Sequence, residues 1–229
     1  DMSRESRRGA IHQLATKLRR LHITPGPADL PRIDAPQMLR SDTLSPVMSL
    51  LVALDQVRSL PHVDRGLIDD VERLVFDLTP AIEPFESRYL VHGDLTFENI
   101  LWDGHHITAI LDFEWARPSP PDVDLDVFLR VCCLPQLHVG DAYYQATRPE
   151  DYAEVPWWMQ EAYPELFAVP RQLDRLRLYS IAYDIRDLTM FPPPAPAAQL
   201  HEYHALNRLR GTVTGRSHLD LLDASAGVV

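Results

Sequence analysis

The chain has 229 residues, 45% hydrophobic and 24% charged, a composition of folded globular proteins that excludes the disordered and fibrous classes. Its length admits one large domain or two small ones with a substantial core. A net charge of −11 and a sequence pI near 5.3 argue against a broad phosphate-gripping face, so nucleic acid is not an expected partner.

In chain order, Ile11, Leu14, Ala15, Leu18 and Leu21 recur at helical spacing and predict an amphipathic helix from Glu5 to Leu21, ended by the prolines of "ITPGPADLPRIDAP". This Arg-rich start has no signal-peptide character, and no later segment is apolar for ~18 residues; neither secretion nor a membrane span is expected, and the expected location is cytoplasmic. Two more helices are predicted, Val47 to Ser59 and Arg65 to Leu78, the second capped by Asp64. Short strands follow at Tyr89 to His92, Ile100 to Trp102 and Ile107 to Leu111, the last two separated by the turn signal "DGHH". Asp122 to Val131 reads as helix. An aromatic-rich segment from Tyr143 to Phe167 precedes a long helix, Arg171 to Met190, stopped by "FPPPAPA", and a last helix is expected near Gln199 to Leu209. The fold class is therefore α+β, mainly helical, with a small β-hairpin sheet. Cys132 and Cys133 are adjacent, which suits neither a disulfide nor metal-ligand spacing and fits a reducing compartment.

The chemistry concentrates between Tyr89 and Arg130, in "YLVHGDLTFENILWDGHHITAILDFEWARPSPPDVDLDVFLR". If the turn is centred on Asp103 to His106, the antiparallel pairing puts Asn99 and Asp112 at one end of the hairpin, with Asp94 in the loop leading into it. Phosphoryl transfer calls for such a set: an acid to take the proton of an attacking hydroxyl, and hard oxygen donors for Mg²⁺ on nucleotide phosphates. The alternative is that these loop residues only satisfy local backbone groups.

"VHGDLTFENIL", followed by "ILDFEWA" and "DVDLD", resembles the aminoglycoside phosphotransferase and choline kinase group, distant relatives of protein kinases. The resemblance implies a kinase-like C-terminal lobe, with Asp94 as catalytic base, His92 and Gly93 shaping the catalytic loop, and Asn99 and Asp112 holding Mg²⁺ and so the phosphates of ATP. It further implies that Asp124 accepts hydrogen bonds from catalytic-loop amides, and "LRRLH" near the start matches the same lobe. Two departures stand out: "RPSPPDVDLD" replaces the usual glycine and aspartate ahead of the Asp-Leu pair, and Glu114 occupies the position of a glycine. A complete member would also carry an N-terminal lobe with a phosphate-pairing lysine. The only lysine here is Lys17, on the first helix, and no glycine-rich phosphate loop precedes it, so the N-terminal nucleotide lobe is read as absent.

The expected organisation is a single lobe over 1–229: a helical region over 1–88, the catalytic loop, metal-binding hairpin and following helix over 89–131, a helical substrate-side region over 132–210, and a tail over 211–229. The function read from this is ATP-dependent transfer of a γ-phosphoryl group to a hydroxyl of a small molecule or peptide, with the nucleotide lobe supplied by another protein or compensated by self-association. The alternative is a catalytically silent binding or scaffold module. An exposed apolar patch is expected where such a lobe would dock.

Several residues carry two readings. Glu98 and Glu114 flank the inferred metal site and could touch substrate or simply face solvent. Asp174, Asp184 and Asp187 on the late helix could offer carboxylates to a substrate, or form a solvated face. Trp157, Trp158, Tyr163 and Phe167 could line a pocket, although core packing is the commoner use of such residues. His105 and His106 are expected to be exposed in the turn, and His201 with His204 lacks a third metal ligand.

Overall fold

The structure is a computed structural model that describes residues 2–27, 30, 39–40, 44–140 and 142–220. The end of the tail, 221–229, and most of the proline-rich stretch after the first helix lie outside the described residues. The elements are α1 (Arg4–Leu21), α2 (Met48–Arg58), α3 (Arg65–Leu78), β1 (Leu90–Val91), β2 (Ile100–Trp102), β3 (Ile107–Ile110), β4 (Arg117–Pro118), α4 (Asp122–Cys133), α5 (Val155–Ala162), α6 (Gln172–Met190) and α7 (Ala205–Val213), linked by short 3-10 turns. The fold is mainly helical, and it divides into two compact units, Asp1–Leu30 with Ser87–Pro170 and Pro31–Glu86 with Arg171–Val229.

In the first unit, α1 starts where the Ser3 hydroxyl accepts the Ser6 amide, and its first and last turns carry Glu5 and then Arg19 and Arg20, matching the helix dipole. Its buried stripe, Ile11, Leu14, Ala15 and Leu18, packs against α5. Arg4, Arg8 and Arg19 flank that contact by pairing with Glu154, Glu161 and Glu165. These pairs are exposed and set register more than stability. Of the aromatic-rich segment, Trp158 and Tyr163 are buried, Phe167 is half-buried and Trp157 is exposed. α5 itself begins with a proline among its first residues and occupies a stretch for which no helix is expected from periodicity.

α4 is buried on nearly every face, including Asp122, Asp124, Asp126 and Arg130, so it is the central helix of this unit rather than an amphipathic surface one. β1 pairs antiparallel with β4, Val91 opposite Arg117, and β2 pairs with β3, Ile100 opposite Ile110 and Leu101 opposite Ala109. Trp102 then pairs with Ile107, so Thr108 is an extra residue and the hairpin carries a bulge. Its turn is held by the Asp103 carboxylate, which accepts the amides of His105 and His106 at 2.8 and 2.7 Å; both histidines are exposed.

The second unit packs α2, α3, α6 and α7 together. The Asp64 carboxylate caps α3 through the Gly66 amide at 2.9 Å, and Leu67, Ile68, Val71, Val75 and Leu78 form its buried face. Within this core Arg175 donates to the Ala81 carbonyl at 2.9 Å and the Tyr179 hydroxyl at 3.0 Å. The last helix starts later than its expected Gln199, at Ala205, because Ala197–Gln199 closes into a 3-10 turn and His204 Nδ1 caps the helix through the Leu206 amide.

Among the described residues, no helix is long and apolar enough to cross a membrane. Cys132 and Cys133 are free thiols; burial pushes Cys132 well above the usual thiol range and Cys133 up to about 11.

Candidate active site

The candidate site lies wholly in the first unit and is assembled by β1, the hairpin and the first turn of α4. β1 delivers the chain to His92, Gly93 and Asp94. Gly93 has φ +83, and a Cβ there would lie 2.3 Å from the Trp115 carbonyl oxygen and 2.5 Å from Arg117 Nη1. Both the left-handed backbone and the close approach of the Trp115–Arg117 segment therefore require glycine.

Asp124 anchors this loop from below. Its carboxylate accepts the His92 amide at 2.8 Å and the Gly93 amide at 2.7 Å, and His22 Nε2 lies 3.0 Å from the same group. Burial acts to raise the pKa of Asp124, but the His22 bond and charge together with the two amides outweigh it and hold the carboxyl below its usual range. His22, the last residue of "LRRLH", is buried and its Nδ1 lies 3.3 Å from the Tyr163 hydroxyl. The sequence assigns His22 no role, and Tyr163, read there as pocket lining or core packing, is buried against it. The only local signal is a histidine closing an otherwise basic helix.

The His92 ring is fully buried and spans two sides of the site. Its Nδ1 accepts the Asp94 amide at 3.3 Å, so Nε2 carries the ring proton and donates to the Leu111 carbonyl at 2.8 Å. The ring also packs on Phe113, with centroids 4.6 Å apart. The Leu111 amide in turn donates to the Asn99 carbonyl at 2.8 Å. Asn99 Nδ2 donates to the Asp94 carbonyl at 3.0 Å, which also accepts the Thr96 amide at 2.9 Å. One closed circuit thus runs Asp94, His92, Leu111, Asn99 and back to Asp94. It fixes the backbone of Asp94 and Asn99 and of Leu111, the residue before Asp112.

Asp112 follows this circuit directly. It sits at the end of β3 with φ 61 and ψ 62, the left-handed region, before the 3-10 turn Phe113–Trp115. Asp tolerates this region better than most residues, yet the conformation still costs energy, and the residue is exposed. Since Asn99 Nδ2 is engaged, its Oδ1 is the end available to a cation, and the donor set is an amide oxygen plus a carboxylate. This suits Mg²⁺, which is usually held by one or two protein oxygens and completed by phosphates and water. No cluster of three or more His, Cys, Asp or Glu side chains able to hold an ion occurs among the described residues, and His201 with His204 is included in that statement. From Tyr89 to Arg117 the sequence carries Asp94, Glu98, Asp103, Asp112 and Glu114 against a single arginine, Arg117, which donates to the Trp115 carbonyl beside Gly93, so the net charge of the segment favours a cation.

The remaining candidates fall elsewhere. Glu98 is exposed and its Oε1 accepts the Gly140 amide at 3.0 Å, fastening the segment after α4. Glu114 is exposed on the 3-10 turn beside Asp112. Asp174, Asp184 and Asp187 lie in the second unit, and they do not form a solvated face. Asp184 is buried and accepts from Arg208 Nε at 2.8 Å, Asp187 accepts from Arg208 Nη2 at 2.8 Å and Arg186 at 3.2 Å, and Asp174 pairs with Arg171. Lys17 is half-buried on α1.

Comparison with known proteins gives three findings. A sequence model described as the phosphotransferase enzyme family matches residues 1–158. No curated protein matches the sequence. Among solved structures, the fold is similar to aminoglycoside phosphotransferase APH(2'')-Ib with ADP bound (TM-score 0.60, 14% identity, 96% of this chain and 67% of that one). It is also similar to the APH(2'')-IIa protein of a streptomycin–ATP ternary complex (TM-score 0.52, 15% identity, 96% of this chain and 66% of that one). The chain thus spans about two thirds of the length of these structures and shares their kinase-like fold.

Proposed function

Because the chain belongs to the phosphotransferase enzyme family, we propose that it supplies the acceptor and metal half of an ATP-dependent phosphotransferase acting on a hydroxyl group. In this reading Asp94 orients the acceptor hydroxyl and takes its proton as the oxygen bonds to the γ-phosphorus and the bond to ADP breaks. Asn99 Oδ1 and Asp112 hold Mg²⁺, whose charge offsets that of the phosphates. His92 and Gly93 carry no reacting atom; they hold Asp94 and the Leu111–Asp112 strand end in register. Asp124 and His22 hold that loop.

The observation that carries the reading is the closed hydrogen-bond circuit joining Asp94, His92, Leu111 and Asn99. Local turn chemistry would need only contacts within a few residues, whereas the His92 to Leu111 bond links positions 19 apart. In this reading a nucleotide-binding lobe completes the site. The exposed Leu101, Leu111 and Phe113, beside Asp112, are the apolar surface offered to it. The acceptor is a small molecule or peptide hydroxyl, and the net acidity favours a cationic one.

A second reading is a binding module without turnover, in which the same loop geometry is kept without chemistry. Calorimetric titration with ATP, with and without Mg²⁺, tests the first reading. Mg²⁺-dependent binding that is lost in Asp112→Ala supports it. Binding that ignores both metal and substitution refutes the metal assignment, and binding without any phosphoryl transfer on acceptor screening favours the module.

A further inference from the structure

The inner face of the hairpin, opposite the exposed Leu101 side, borders a half-open cavity of about 650 Å³ that the proposed chemistry does not use. It lies entirely in the first unit. Ile11 and Leu14 of α1 line it together with Ile100, Trp102 and Ile107 of the hairpin, and Phe97 and Val155 extend the apolar wall. Side chains of this kind normally close on one another to the density of an organic crystal. The volume instead falls in the range of sites for small molecules.

The polar groups at this cavity are biased. Arg7 lines it and donates through Nη1 to the Asp151 carbonyl at 3.0 Å, with the Asp151 carboxylate 3.5 Å away. Arg148, also lining, donates to the same carboxylate through Nε at 3.0 Å and Nη2 at 3.3 Å. Two guanidinium groups therefore share one carboxylate, leaving a net positive charge.

We propose that this cavity is a second binding site, for a small amphipathic anion: an aromatic or short-chain apolar body against Ile11, Trp102 and Ile107, and one anionic oxygen group on Arg7. Recognition is by charge-assisted hydrogen bonding at one end and area burial at the other.

Anilinonaphthalene sulfonate, which has this chemistry, is the probe. It is titrated into the purified chain with excitation of tryptophan, since Trp102 lines the cavity and is placed to transfer energy to it. The expected result is one saturable site. Ala10→Phe, which adds bulk to another lining residue, weakens it at least tenfold while Ala10→Ser does not. Arg7→Met weakens it roughly tenfold, in line with a hydrogen bond to a charged group, yet changes binding of neutral N-phenylnaphthylamine less than twofold. Near-UV circular dichroism identifies any variant that fails to fold, and Ala10→Leu then replaces Ala10→Phe. Absence of saturable binding, or binding indifferent to filling at Ala10, overturns the site. An equal loss of both probes in Arg7→Met overturns the anion assignment.

Discussion

Replacing Asp124 by asparagine keeps the volume of the side chain and removes its charge, which makes it the most direct test of what holds the catalytic loop. The carboxylate is fully buried and accepts two backbone amides, from His92 and Gly93, besides facing His22. Asparagine can accept at Oδ1 only, so one of the two buried amides loses its acceptor and meets an NH₂ group. That unsatisfied amide costs about 1–3 kcal/mol, and losing the charge-assisted bond to His22 costs about 1.5–3 kcal/mol. The expected loss is therefore about 2.5–6 kcal/mol, a large fraction of the ~5–15 kcal/mol typical of a folded domain. With a urea m-value of about 3 kcal/mol/M, the unfolding midpoint moves down by about 0.8–2 M. The pH dependence has a definite sign. Because the folded-state pKa of Asp124 is depressed, its contribution is complete above the usual carboxylate value of 3.8 and is lost as pH falls through the lower folded value. The gap between wild type and Asp124→Asn is thus full at pH 6 and shrinks below about pH 4. A loss under about 1 kcal/mol at pH 6, or a gap that is the same at pH 3, would refute the reasoning.

Three further outcomes are expected. Gly93→Ala destabilises far more than Gly104→Ala, because both have positive φ but only Gly93 has atoms within 4 Å of a new Cβ; thermal melts should show about 1–2 kcal/mol for Gly104→Ala and at least twice that for Gly93→Ala. Asp112→Gly relieves a left-handed backbone and raises stability by about 1 kcal/mol in urea titration while abolishing Mg²⁺-dependent nucleotide binding; loss of stability would mean that the conformation carries no strain. Gln13 donates to the His105 carbonyl at 2.9 Å and accepts the Ile107 amide at 3.0 Å, so Gln13→Ala should cost about 1–2 kcal/mol and speed hydrogen exchange at Ile107, and an unchanged Ile107 amide would show that the hairpin needs no such clamp.

What the sequence determined by itself is whatever depends on neighbours along the chain. The apolar stripes of α1 and α3, the Asp64 cap and the Asp103 turn follow from periods and caps that span a few residues. The hairpin belongs here too: a short loop fixes antiparallel pairing, which brings Asn99 opposite Leu111, the residue before Asp112, at its open end. The family was legible for the same reason, since its motifs are short and fall in order. Tertiary structure alone decided the rest. His22 and Asp124 are 102 residues apart, Gln13 and Ile107 are 94 apart, and neither pairing has a local signature. Asp184 and Asp187 read as an acidic face until Arg208 of a later helix is seen to occupy them. α5 was hidden in an aromatic segment, for its helical face becomes apparent only against α1. Local pattern encodes which segments form. Which distant groups a buried charge can use to satisfy itself depends on how those segments pack, because the energy of that pairing exists only once water has been excluded from it.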